Sequence, residues 1–145
     1  MVEYPEELPD NIYERVIDLS VQGNLFLDSG DALSAVNVWC EALALLPSPK
    51  DNWEACLWLN ASLGEAYRVE GQLEEAKACL LDALNCPDGH VNPFVLLRLG
   101  QTLVDLGDEN AGVDYLLRAY MLEGEEIFEE DAQYLQLLRN RKLVD

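Results

Sequence analysis

Basic residues are scarce in this chain. Nine Lys and Arg stand against 28 Asp and Glu, a formal net charge of −19 over 145 residues. A surface this negative repels nucleic acid and anionic membranes at long range, and the scattered cations form no patch that would track a phosphate backbone. Histidine is scarcer still. His90 is alone and follows the Pro87-Asp88-Gly89 turn, so no serine or cysteine has an evident imidazole base. No apolar run approaches the roughly 20 residues of a membrane span. Met1 to Glu7 lacks the basic start and apolar stretch of a secretory signal. Glycines are not spaced as a phosphate loop after a strand. The four cysteines, Cys40, Cys56, Cys79 and Cys86, form no C-x-x-C pair. They fall in apolar patterns, which fits reduced, buried thiols better than zinc ligands or a disulfide framework. Asp105, Asp108 and Glu109 gather around Gly107 without the ligand ladder of a calcium loop. Asn60-Ala61-Ser62 matches a glycosylation acceptor but lies in a helical pattern. The expectation is a cytoplasmic protein that is not an enzyme and has no metal or cofactor.

What the chain does have is repetition. Gly23, Gly64 and Gly100 are each followed seven residues later by Gly30, Gly71 and Gly107. Three residues after each first glycine is a large apolar residue: Phe26, Tyr67, Leu103. Twelve after it is a very small one (Ala35, Ala76, Gly112), and sixteen after it a large one (Trp39, Leu80, Leu116). Nineteen after it is alanine each time: Ala42, Ala83, Ala119. Gly30, Gly71 and Gly107 suit the residue just past a helix end, where the chain enters the left-handed region. Asp31 and Asp108 are good caps for the following helix, and Gln72 is a weaker one. The mid-helix glycines and the alanines make sense where two helices approach too closely for a side chain.

Each unit therefore reads as two amphipathic helices, near 10–29 and 31–46, 52–70 and 72–86, and 93–106 and 108–122. Asp10, Asp51 and Asn92 are expected as first caps, with Pro93 in a first helical turn. Pro47 and Pro49 break the chain after the first pair, and Pro87-Asp88-Gly89 breaks it after the second. A short helix near 131–141, with Tyr134, Leu135 and Leu138 on its apolar face, would cover the open end of the stack. The expected organisation is one all-α domain over 1–145, with hairpins at about 10–46, 52–86 and 93–122 and a capping helix at about 131–141.

The pattern resembles the tetratricopeptide repeat, a helical hairpin of about 34 residues with W-x-x-L-G-x-x-Y, A-x-x-x-F, A and P at fixed places. The second unit is most similar: Leu63-Gly64 with Tyr67, then Ala76, Leu80 and Ala83. The first has Gln22 where the motif has leucine. The third has Leu103 for the tyrosine and Gly112 for the alanine. The resemblance implies a right-handed α-solenoid with the first helix of each hairpin lining a concave, protein-binding groove. That geometry would present Ile17, Ser20, Asn24 and Leu27 from the first unit. Trp58, Ala61, Glu65 and Arg68 would come from the second, and Phe94, Leu97, Arg98, Gln101 and Asp105 from the third. Trp58 and Phe94 are the aromatic candidates for anchoring a partner. Some family members clamp a chaperone's C-terminal carboxylates with lysine, asparagine and arginine. Here Asn24 and Arg98 fall at matching places, but Ser20, Ser62 and Phe94 occupy the others, which argues against that clamp.

Two acidic clusters stand out. One is Glu3, Glu6, Glu7 and Asp10; the other is Glu123, Glu125, Glu126, Glu129, Glu130 and Asp131. They read as solvated surface or as a docking surface for a basic protein. Two functions fit. One is an acidic immunity protein that binds and neutralises a basic bacterial toxin domain, gaining fast capture from its charge. The other is a secretion chaperone, or a general scaffold, holding an extended client segment in the groove.

Overall fold

The computed structural model describes residues 8–145, which contain seven α-helices and no strand. They are α1 (Asp10–Asp28), α2 (Ala32–Leu45), α3 (Glu54–Val69), α4 (Leu73–Leu84), α5 (Pro93–Asp105), α6 (Glu109–Glu123) and α7 (Ala132–Asn140). α1 and α2, α3 and α4, and α5 and α6 form three hairpins. α2 packs on α3, α4 on α5 and α6 on α7, so the hairpins stack in chain order as a helical-repeat solenoid.

The three hairpin turns share one geometry. Gly30, Gly71 and Gly107 have φ of +87°, +75° and +93°. The next residue's N–H reaches back to the carbonyl of the large apolar column: Asp31 to Phe26 at 2.8 Å, Gln72 to Tyr67 at 2.9 Å, Asp108 to Leu103 at 2.9 Å. Carbonyls left free at the helix end are thus satisfied. Asp31 then accepts from the Ser34 N–H at 3.1 Å, and Asp108 from the Ala111 N–H at 3.4 Å. Gln72 makes no side-chain cap bond.

Within each hairpin the mid-helix glycine receives the large residue sixteen positions on. A Cβ on Gly64 would lie 2.6 Å from Leu80 Cγ, and one on Gly100 would lie 2.8 Å from Leu116 Cγ. Gly23 stands in the same relation to Trp39. Ala42, Ala83 and Ala119 are fully buried in the same seams.

Two expected caps are not used. Asp10 lies inside the first turn of α1, where its charge favours the helix N-terminus, and Pro9 precedes it without a cap bond. Asp51 belongs to a 3-10 turn, Lys50–Asn52, and Trp53 precedes α3. The reason lies in the linker. Lys50 Nζ donates to the carbonyls of Leu43 and Leu46 at 3.0 and 2.9 Å, closing the end of α2. Trp53 Nε1 donates to the Pro47 carbonyl at 2.7 Å. Asn92 does cap α5, accepting from the Val95 N–H at 3.1 Å, with Pro93 in the first turn.

Gln22 has a plain explanation. Its counterparts Leu63 and Leu99 are buried against the preceding hairpin, whereas Gln22 is exposed on the outer face of α1, which no described helix covers. The acidic stretch after α6 also holds structure. Glu125–Phe128 is a 3-10 turn that buries Phe128 beside Tyr120, with ring centroids 6.5 Å apart.

Candidate functional site

The charged residues expected along the groove are brought together, but with one another. Arg98 Nε donates to Glu65 Oε2 at 2.6 Å, and its Nη1 donates to Gln101 Oε1 at 2.9 Å. The same guanidinium lies 5.1 Å from the Phe94 ring centroid. It also stands 3.8 Å from Glu130 and 4.0 Å from Asp131. Arg68 pairs with Asp105 at 3.1 Å and donates to Thr102 Oγ1 at 3.1 Å. Asp105 in turn accepts from the Tyr134 hydroxyl at 2.7 Å. A polar ladder therefore runs from α3 through α5 to α7. The Arg98 side chain is only 13% exposed, and a hydrogen-bonded, partly desolvated pair of this kind positions helices rather than waiting for a ligand.

Other expected groove residues divide by burial. Leu97 and Gln101 are buried, so they form no accessible wall. For Leu97 the cause is the C-terminal cap, since it packs in one cluster with Phe128, Tyr134, Leu135 and Leu138. Ala61 is buried beside Val95 and Ala83. Trp58 and Leu27 are half-buried against the first core cluster. Ile17 and Ser20 are half-buried, and the Ser20 carbonyl accepts from Trp39 Nε1 at 3.3 Å. Asn24 and Phe94 remain exposed.

The acidic stretch is different. Glu123, Glu125, Glu126, Glu129 and Glu130 are all exposed, and Asp131 is half-buried. Glu125 pairs with Arg139 at 3.1 Å. Glu123, Glu126 and Glu129 have no ion-pair partner among the described residues. Buried Phe128 and half-buried Ile127 hold this ridge against α6 and α7. Of the first acidic cluster, Glu3, Glu6 and Glu7 lie outside the described residues; Asp10 is exposed.

Two features of this surface were missed in the sequence. One is the Ile127-Phe128 anchor, whose signal was an apolar pair between two pairs of glutamates. The other is the ladder. Glu65 and Arg98 are 33 residues apart and Arg68 and Asp105 are 37 apart, close to the repeat length that places residues side by side on neighbouring hairpins.

Among the described residues no three His, Cys, Asp or Glu side chains are grouped to hold a metal ion. No helix of the described residues is long and apolar enough to cross a membrane. The Asn60 amide is buried and donates to the Cys56 carbonyl at 3.0 Å, which keeps it from modification. His90 Nδ1 is engaged with the Leu84 carbonyl at 3.1 Å. Burial pushes the Cys79 thiol up to about 11 and the Cys86 thiol up to about 12, the opposite of an activated nucleophile.

A search of curated proteins found none that matches the chain. A family profile described as tetratricopeptide repeat matches residues 59–85 and 95–126. These stretches take in most of α3 and α4, and then α5 and α6, so the profile falls on the second and third of the three hairpins that carry the recurring glycines. The repeat is a protein-interaction unit, and these two stretches of the chain carry its pattern.

Proposed function

We propose that this protein is a cytoplasmic immunity protein, which binds a basic, folded toxin domain and neutralises it. The observation that carries this reading is the ridge from Glu123 to Asp131. Its five glutamates are exposed, three of them have no ion-pair partner among the described residues, and the ridge is anchored by Phe128. Fixed charges of one sign steer an oppositely charged partner and raise its association rate. The groove is a poorer candidate for the main contact, because Arg68 and Arg98 are engaged within the fold. The net charge of −19 favours a basic partner over nucleic acid or an anionic membrane.

The test begins with cross-linked pull-down and mass spectrometry to identify the partner, followed by binding kinetics. Replacing Glu123, Glu126 and Glu129 together by Gln should lower the association rate about tenfold at low salt and leave dissociation nearly unchanged. An association rate indifferent to both the variant and the salt concentration would remove the ridge from the reading.

A secretion chaperone or scaffold is the second reading. Trp58 and Phe94 occupy the same register in consecutive hairpins, and Phe94 is exposed. In that case a short extended peptide of the client should bind, Trp58→Ala should abolish its binding, and salt should matter little.

A further inference from the structure

The outer face of α1 has two internal templates. Asp18, Gln22 and Leu25 share their register with Leu59, Leu63 and Ala66 of α3, and with Val95, Leu99 and Thr102 of α5. All six counterparts are buried, Leu59 and Val95 completely. In each case the preceding hairpin covers them, chiefly through one helix, α2 on α3 and α4 on α5. On α1 no described helix does so, and Val21 and Leu25 stand 52% and 64% exposed. Glu14, Asp18, Val21, Leu25 and Asp28 are all exposed. Their spacing of four, three, four and three residues puts them in one stripe along the helix.

We infer that this stripe is a docking surface for a lysine- or arginine-bearing amphipathic helix of a partner protein. The helix seats aliphatic side chains on Val21 and Leu25 and its cations on Glu14 and Asp18. The templates show which shape fits, since at the positions equivalent to Asp18, Gln22 and Leu25 one helix of the preceding hairpin does most of the covering on α3 and α5. Charge decides the chemistry. Asp18 replaces a fully buried Leu or Val, so an occupant in the same register has to neutralise it. The one cation of α1, Arg15, pairs with Glu41 at 3.2 Å, leaving Glu14, Asp18 and Asp28 without an ion-pair partner among the described residues. A second copy of this chain fits less well, because it brings another net charge of −19. The stripe is separate from the Glu123–Asp131 ridge, so either can fail without the other.

The probe is a synthetic amphipathic helix of leucine and lysine, with a leucine–glutamate helix as control. Isothermal titration gives affinity and amide NMR shifts give location. The lysine helix should bind with shifts along α1, and the glutamate helix should not bind. Replacing Val21 and Leu25 together by Ser should weaken the lysine helix at least tenfold, with an unchanged circular dichroism spectrum. Asp18→Asn should weaken it mainly at low salt. Replacing Glu123, Glu126 and Glu129 by Gln should leave the α1 shifts in place.

Absence of binding, an affinity unmoved by the Ser pair, or shifts confined to Glu123–Asp131 would overturn the inference. So would a wild-type dimer in sedimentation that Leu25→Ser dissociates, which would make a second copy the occupant. Nuclear Overhauser contacts from residues 1–7 to Val21 and Leu25 would instead assign the face to the chain itself.

Discussion

The indole of Trp39 fills the space that a Cβ on Gly23 would need, and its Nε1 donates to the Ser20 carbonyl one turn earlier. Leu80 and Leu116 repeat the relation over Gly64 and Gly100 without the hydrogen bond. A glycine inside a helix costs about 1 kcal/mol of propensity against alanine. Here the cost is offset by letting the second helix of the hairpin approach until a large apolar side chain meets the backbone of the first.

Gly64→Ala is therefore expected to destabilise the protein although alanine is the better helix former. Leu80 Cγ and Cδ2 lie 2.6 and 2.8 Å from the new Cβ. Overpacking of this kind costs roughly 1–3 kcal/mol, against a propensity gain of up to about 1 kcal/mol. Urea unfolding should show a net loss of about 1–2 kcal/mol. In the double variant with Leu80→Ala, the loss should fall short of the sum of the singles by more than about 0.5 kcal/mol. Strict additivity would mean that the two positions do not press on each other.

The caps of the second helices give an internal comparison. Asp31, Gln72 and Asp108 have nearly the same backbone angles, yet only the aspartates bond the following helix. Gln72→Asp should stabilise the protein by about 0.5–1 kcal/mol, and Asp31→Ala should destabilise it. Both are read from thermal unfolding. The Ser34 hydroxyl and N–H hold the Asp31 carboxyl below its ordinary value of 3.8. The folded pKa is the lower one, so this contribution is present above pH 4 and is lost as pH falls through the folded value. Asp31→Ala and wild type should converge in stability under acid.

Tyr134 ties the last helix to the ladder through both carboxylate oxygens of Asp105, at 2.7 and 2.8 Å. Tyr134→Phe keeps the ring and removes the donor, with an expected loss of about 1.5–3 kcal/mol, as for a hydrogen bond to a charged group. Hydrogen exchange should locate the effect, with faster exchange in α7 and little change in α1. Equal acceleration in both helices would show that the bond serves the whole stack rather than the cap.

Alkaline pH should weaken the fold. Burial raises the Cys79 thiol from 9.0 to about 11 and the Cys86 thiol from 9.0 to about 12. Burial, followed by the bond to Asp105, raises Tyr134 as well. Each folded pKa exceeds its unfolded value, so the unfolded chain loses its protons first. Stability is fully present below about pH 9 and declines as pH rises through the window to about 11–12. Guanidinium midpoints at pH 8 and pH 10.5 test the sign. In native protein at pH 8, iodoacetamide should modify exposed Cys40 first and buried Cys86 last, as followed by mass spectrometry.

The hairpins and the groove were not equally legible in the sequence. Gly64, Leu80 and Ala83 announce a close helix crossing through side-chain size alone. Arg68 and Arg98 read as groove residues in the sequence, but their partners Asp105 and Glu65 sit one hairpin away. A single helix pattern cannot say whether a charge there meets solvent, a ligand or the next repeat. Leu97 reads as a wall residue in the sequence, because the depth to which α7 and Phe128 cover it depends on packing after the third hairpin.

Helix positions, their stops at Gly30, Gly71 and Gly107, and the repeat itself follow from local chemistry, because left-handed backbone, capping and apolar period act over a few residues. Which charges remain free does not. Arg98 is engaged because Glu65 lies 2.6 Å away across a hairpin boundary, whereas Glu126 faces water because Phe128 turns the other way, into the core. Those outcomes depend on distances between residues far apart in the chain, and only the stacking of complete hairpins sets them.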